Sequence, residues 1–342
     1  TILQAMDLAA QGPSEDTRST PGRFPDEVAQ VRHDPPPTAG GARDGLQNET
    51  APVPTEAKIA FVDALSCTGV DEIEVSAFVS PRWVPQLGDA QEVFRRISRR
   101  QDVAYSALVP NEKGLERALE AKVDKVSVFT AASETFNRKN INTSIEGAIE
   151  RFLPVVGGAR SAGLPVRGYV STAFWCAFEG KIAPEATVDV VERLVDLGVH
   201  EVSISDTIGK ASPDEVTRLL DLLLPRLSSD RIDMHFHDTY GRGVENVLAS
   251  WSRGVRIFDA SVGGLGGCPY APGATGNVAT EAVVEALKGE GATVGVDLKR
   301  LTRARKLLDP FLADDRRTLP KDGSPACAAC EFSRGETCCG QG

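Results

Sequence analysis

From about Thr55 onward the chain alternates between two hydrophobic periods. Short β-branched stretches recur at Glu72–Phe78, Val103–Val109, Lys125–Ala131, Val166–Ala173, Glu201–Asp206, Arg231–Asp238 and Arg256–Val262. Between them lie segments with helical spacing. In 185–197, Val188, Val191, Leu194 and Val195 share one face, and Gly198 supplies a stop. In the next unit Ser212-Pro213-Asp214-Glu215 combines an N-cap, a proline at the first helical position and an acid three residues on. Strands and helices alternating at this spacing predict a parallel sheet with right-handed crossovers. About seven such units, plus one candidate strand before Arg43, predict an α/β fold of the TIM (β/α)8 barrel type. A doubly wound open sheet is the alternative. The barrel places functional residues at the C-terminal ends of strands or in the loops just after them.

The pattern fails at both ends. Residues 1–40 hold Gly12-Pro13, Pro21-Gly22, Pro25 and Pro35-Pro36-Pro37, and read as an irregular segment. Three successive prolines cannot donate to a ladder, so a central strand is not expected there. Closure would then be imperfect, or would use another segment such as 28–32. The barrel is assigned to 41–310 and an irregular, cysteine-containing tail to 311–342. That tail carries Cys327-x-x-Cys330 and Cys338-Cys339, a spacing unlike the common zinc-binding pairs.

Composition narrows the class. The 342 residues are 41% hydrophobic and 25% charged, within the ordinary globular range. A net charge of -10 argues against general affinity for nucleic acid or an anionic membrane. No apolar run approaches the roughly 18 residues of a membrane helix. The seven cysteines are odd in number, and Cys67, Cys176 and Cys268 are scattered, so a disulfide framework is not indicated. Asp7, Glu15, Asp16, Asp26 and Glu27 are foreign to a transit peptide, which makes the cytoplasm the expected compartment.

Candidate chemistry sits where a barrel would put it. Two of the four histidines, His235 and His237, lie two apart on a strand and project to one side. They form either a metal-ligating pair or a hydrogen-bonded pair in the core. Arg43-Asp44-Gly45 suits a strand-to-loop turn that offers a carboxylate to a metal and a guanidinium to a substrate oxygen; taken alone it reads rather as a surface turn with a solvated ion pair. The Gly-rich stretch from Gly263 to Asn277 can approach a ligand closely, and it holds Cys268. Its Asn277 amide oxygen is a plausible hard-metal ligand. Glu74 within a strand and Asp206 at a strand end are either functional or satisfied structural acids.

Taken together, these segments resemble the 3-hydroxy-3-methylglutaryl-CoA (HMG-CoA) lyase family of metal-dependent barrel lyases. The similarity runs from about Gly41 to about Leu301. It includes Arg43-Asp44-Gly45-Leu46-Gln47-Asn48-Glu49, the segment Ser76 to Gln86 containing Trp83, Asn140-Ile141-Asn142, Asp206-Thr207-Ile208-Gly209 and His235-Phe236-His237-Asp238-Thr239-Tyr240-Gly241. The resemblance implies Asp44, His235, His237 and Asn277 as metal ligands, Arg43 at the thioester carbonyl and Cys268 as a loop cysteine needed for catalysis. It also places Glu74 and Asp206 in the acid–base machinery. The implied reaction is cleavage of HMG-CoA to acetyl-CoA and acetoacetate, with Mg²⁺ or Mn²⁺ favoured by the oxygen-rich ligand set. A homodimer is implied as well. The competing readings are an acyl-CoA-condensing synthase of the 2-isopropylmalate or homocitrate type, or a catalytically weak barrel acting as a binding protein.

Overall fold

The structure is a computed structural model. It describes residues 43, 53–82, 84–266 and 276–312, and the backbone of 38–39. Asp44, Trp83, Cys268, the 28–32 segment and the four tail cysteines lie outside the described residues.

Eight parallel strands close into a barrel: β1 (Thr38–Ala39), β2 (Glu72–Ala77), β3 (Ala104–Leu108), β4 (Lys125–Ala131), β5 (Val166–Ser171), β6 (Glu201–Asp206), β7 (Ile232–Phe236) and β8 (Ile257–Ala260). Of the seven long strands, Lys125–Ala131 and Glu201–Asp206 coincide with the expected stretches, and the other five are trimmed by one or two residues at one or both ends. Closure is the correction to the sequence reading. Thr38 and Ala39, immediately after the prolines, pair with Asp259 and Ala260 of β8, and Ala39 pairs with Ile73 of β2. They are the first residues after Pro37 with amide hydrogens, and two residues suffice to join the edges. So short a strand has no periodicity from which to detect it.

Helices α1 (Thr55–Ser66), α2 (Ala90–Arg96), α3 (Glu112–Glu120), α4 (Glu134–Ile141), α5 (Ile145–Ser161), α6 (Pro184–Leu197), α7 (Pro213–Leu223), α8 (Gly243–Ser252), α9 (Thr280–Gly289) and α10 (Leu298–Lys306) connect and surround the strands. The α6 helix ends at Gly198 with φ of 102°, a left-handed conformation that glycine adopts without steric cost. The α7 helix opens with a complete capping box, in which Ser212 accepts from Glu215 N and the Glu215 carboxylate accepts from Ser212 N. The main apolar core lies between the strands and these helices. In β5, for example, a Cβ on Gly168 would meet Leu194 of α6 at 3.0 Å, so this parity faces the helices.

The opposite parity faces the barrel axis, and it is polar. It contributes Glu72 and Glu74 from β2, Ser106 from β3, Lys125 and Ser127 from β4, and Arg167 and Tyr169 from β5. Glu201 and Ser203 of β6, Asp233 and His235 of β7 and Asp259 of β8 complete it. All are buried except Lys125 and His235, which are partly so. Bulky branched side chains ordinarily dominate such interiors. Here a charged network fills the axis, and it carries the site at its upper end.

Candidate active site

His235 projects from β7, and His237 stands just beyond the end of that strand. Their rings lie with centroids 5.4 Å apart and planes at 47°. His237 also forms an antiparallel bridge with Asn277, at the far end of the Gly-rich segment. The Asn277 side chain is buried, and its Nδ2 donates to Leu265 O at 2.9 Å. With the nitrogen end committed to that carbonyl, the oxygen end is the one suited to a cation. The Nδ1 of His235 lies 3.4 Å from the Asp259 carboxylate, the pairing a metal-binding imidazole makes on its non-ligating side. Two imidazoles and one amide oxygen therefore fit a divalent cation. Among the described residues no group of three or more His, Cys, Asp or Glu forms a metal cage. Asp44, the fourth expected ligand, lies outside them.

Arg43 and Glu74 form a second cluster. Arg43 Nε donates to Glu74 Oε2 at 2.6 Å, and Arg43 N donates to Glu74 O at 3.0 Å, fastening the turn after β1 to β2. Tyr169 adds a hydrogen bond to the Glu74 carboxylate at 3.3 Å and sets its ring 5.8 Å beneath the Arg43 guanidinium. Burial pushes the Glu74 carboxyl up, and the charge and hydrogen bond of Arg43 hold it down in part. Glu74 thus orients the guanidinium.

Asp206 ends β6 in register with Phe236, and so alternates to the side away from the Ser205–His235 pair. Its carboxylate accepts Lys210 N at 3.1 Å and Ala211 N at 2.9 Å, shaping the loop before α7. Burial raises its pKa to about 6 against those two amides.

Below the histidines lies a charged cluster that sequence reasoning missed. Arg167, 1% exposed, lies 2.5 Å from Glu201, 3.2 Å from Glu72, 3.3 Å from Asp233 and 3.0 Å from Asp259. Lys125 joins Glu72 and Glu201 at 2.6 and 2.7 Å. The signal was present as polar residues at every second position of the strands. It was missed because a sequence does not show which distant strands face one another across the axis.

The chain matches the HMGL-like family over residues 38–308, a span containing every barrel strand and all the described candidate site residues. Hydroxymethylglutaryl-CoA lyase from Pseudomonas mevalonii is 49% identical over 263 residues, 77% of this chain and 87% of that protein. The crystal structure of HMG-CoA lyase from Brucella melitensis superposes with a TM-score of 0.78 at 49% identity, covering 80% of this chain and 96% of that one. An HMG-CoA lyase from Acinetobacter baumannii in complex with coenzyme A and 3-methylmalate gives a TM-score of 0.76 at 39% identity, covering 80% and 90%. Barrel, site text and relatives agree over the same stretch of sequence: this chain belongs to the HMGL-like family.

Proposed function

We propose that the chain is a divalent-metal-dependent carbon–carbon lyase that cleaves 3-hydroxy-3-methylglutaryl-CoA to acetyl-CoA and acetoacetate. The observation that carries this reading is the pairing, at one end of a closed barrel, of the His235–His237–Asn277 cluster with an oriented Arg43. His235, His237 and Asn277, with Asp44, would hold Mg²⁺ or Mn²⁺. When bound, the cation supplies Lewis acidity that eases ionisation of the substrate's tertiary hydroxyl.

The cleavage needs three things of the protein. The hydroxyl proton must leave, and its electrons must form the new ketone of acetoacetate as the adjacent C–C bond breaks. The displaced pair must be held as the thioester enolate of acetyl-CoA until it is protonated. Arg43 answers the third need, because its guanidinium stabilises negative charge at the thioester oxygen, an interaction worth on the order of 3 kcal/mol. Glu74 and Tyr169 hold that guanidinium in place. Asp206, whose pKa burial raises to about 6, is an acid–base candidate. Cys268 serves from the Gly-rich loop.

Coenzyme A as the acyl carrier is supported by the relative solved with it. No helix among the described residues is long and apolar enough to cross a membrane. A cytoplasmic homodimer without nucleic-acid or membrane partners completes the proposal.

Purified protein with Mg²⁺ or Mn²⁺ is expected to form acetoacetate from the named substrate. Acetyl-CoA-dependent consumption of a 2-oxo acid without acetoacetate would replace the lyase by a synthase. His235→Ala is expected to lose the metal, whereas Cys268→Ser keeps it and loses turnover. Full turnover in Cys268→Ser would remove the cysteine from the mechanism.

A further inference from the structure

Asp259 is the point at which the buried charge network touches the histidine pair. It stands on β8 directly in register with His235 on β7, and it is 3% exposed. Its Oδ2 lies 3.4 Å from His235 Nδ1 and accepts the Ser203 hydroxyl at 3.2 Å. Its Oδ1 accepts from Arg167 at 3.0 Å. Arg167 is itself held by Glu201 and Glu72, so the Asp259 carboxylate is fixed by groups from β5 and β6 as well as by its own strand. As a counter-ion alone it would be redundant, because Glu72 and Glu201 already lie within 3.2 Å of Arg167.

We propose that Asp259 is a positioning residue for His235, accepting its Nδ1 proton and so presenting Nε2 as the ligating nitrogen. A neutral imidazole carries one proton, and it can ligate only through the other nitrogen. The carboxylate makes that choice before any ligand arrives, and it also fixes the ring plane about the shared contact. Arg167 and Ser203 prevent the carboxylate from turning away. The role rests on the metal reading given above, and it assigns the cost of misplacing the proton to a residue that would touch neither cation nor substrate.

The test combines the imidazole spectrum with metal affinity. Metal-free protein labelled with ¹⁵N-histidine, at about pH 8 where imidazole is neutral, is expected to show His235 protonated on Nδ1; the resonance is assigned by its loss in His235→Ala. In Asp259→Asn the carboxamide can donate to Nδ1, so the proton is expected to move to Nε2. Mn²⁺ affinity, followed by titration calorimetry or by the paramagnetic signal of free Mn²⁺, is expected to fall roughly 10–100-fold. Ser203→Ala retains the carboxylate and should keep the wild-type tautomer. A wild-type His235 protonated on Nε2, or a folded Asp259→Asn protein with unchanged Mn²⁺ affinity, overturns the assignment. If Asp259→Asn does not fold, the wild-type spectrum alone decides. Failure of the wild-type protein to bind Mn²⁺ sinks the metal reading instead, and the tautomer of His235 is read independently of it.

Discussion

At the scale of single residues, the site divides into groups that would meet a ligand and groups that hold them still. Glu74 is of the second kind, a buried acid bonded to both Arg43 and Tyr169. Glu74→Gln keeps the shape but removes the charge that fixes the guanidinium. We expect kcat to fall roughly 10²-fold, as for an ångström-scale misplacement, with Mn²⁺ affinity unchanged. A parallel loss of Mn²⁺ would show that Glu74 supports the histidine cluster instead. His235 and His237 were legible in the sequence because histidine is scarce here and strand alternation fixes their common side. Asp259 was not, because a lone acid in an apolar stretch acquires meaning only from its neighbour across the sheet.

At the scale of elements, helix ends carry much of the local specification. Gly198 ends α6 in a left-handed conformation that costs other residues about 1–2 kcal/mol. A Cβ there would meet Arg160 Nη1, the movable end of a long side chain, so the expected cost of Gly198→Ala is conformational. Ser212→Ala breaks the capping box of α7 at a cost of about 1 kcal/mol. Each variant should lower the thermal midpoint by a few degrees with turnover retained. An unshifted midpoint in both would mean that packing alone specifies these helices. Such ends were readable from the sequence because capping acts over only three or four residues. The first strand was not, since its two residues, Thr38 and Ala39, are selected by the open edges of β2 and β8.

At the scale of the whole molecule, the buried acids of the barrel couple stability to pH. The Glu201 carboxylate is held at a pKa of about 2: burial opposes its charge, but Arg167 and Lys125 outweigh burial. Its folded pKa lies below the ordinary glutamate value, so its stabilisation is complete above about pH 4.5 and is lost as pH falls toward 2. Asp206 has the opposite sign. Its folded pKa of about 6 exceeds the ordinary 3.8, so the folded state binds its proton more tightly and gains stability as pH falls across that interval. Urea unfolding from pH 7 to 2 should therefore show Glu201→Gln losing part of the acid-side decline. Asp206→Asn should lose part of the gain between pH 6 and 4. Identical pH profiles for wild type and both variants would refute the linkage.

The sequence by itself determined what depends on local order. The strand and helix succession, the caps of α6 and α7, and the common side of His235 and His237 follow from periodicity and short-range bonding. Arg43 and Glu74 could be named as candidates but not paired, being 31 residues apart in the chain. Tertiary structure alone decided the pairings across the axis: Arg43 with Glu74, Arg167 with its carboxylates, Asp259 with His235, and β1 with both edges of the sheet. Each depends on closing the sheet, because closure sets the register of distant strands. It also removes water from the axis, so that isolated polar residues become obligate partners.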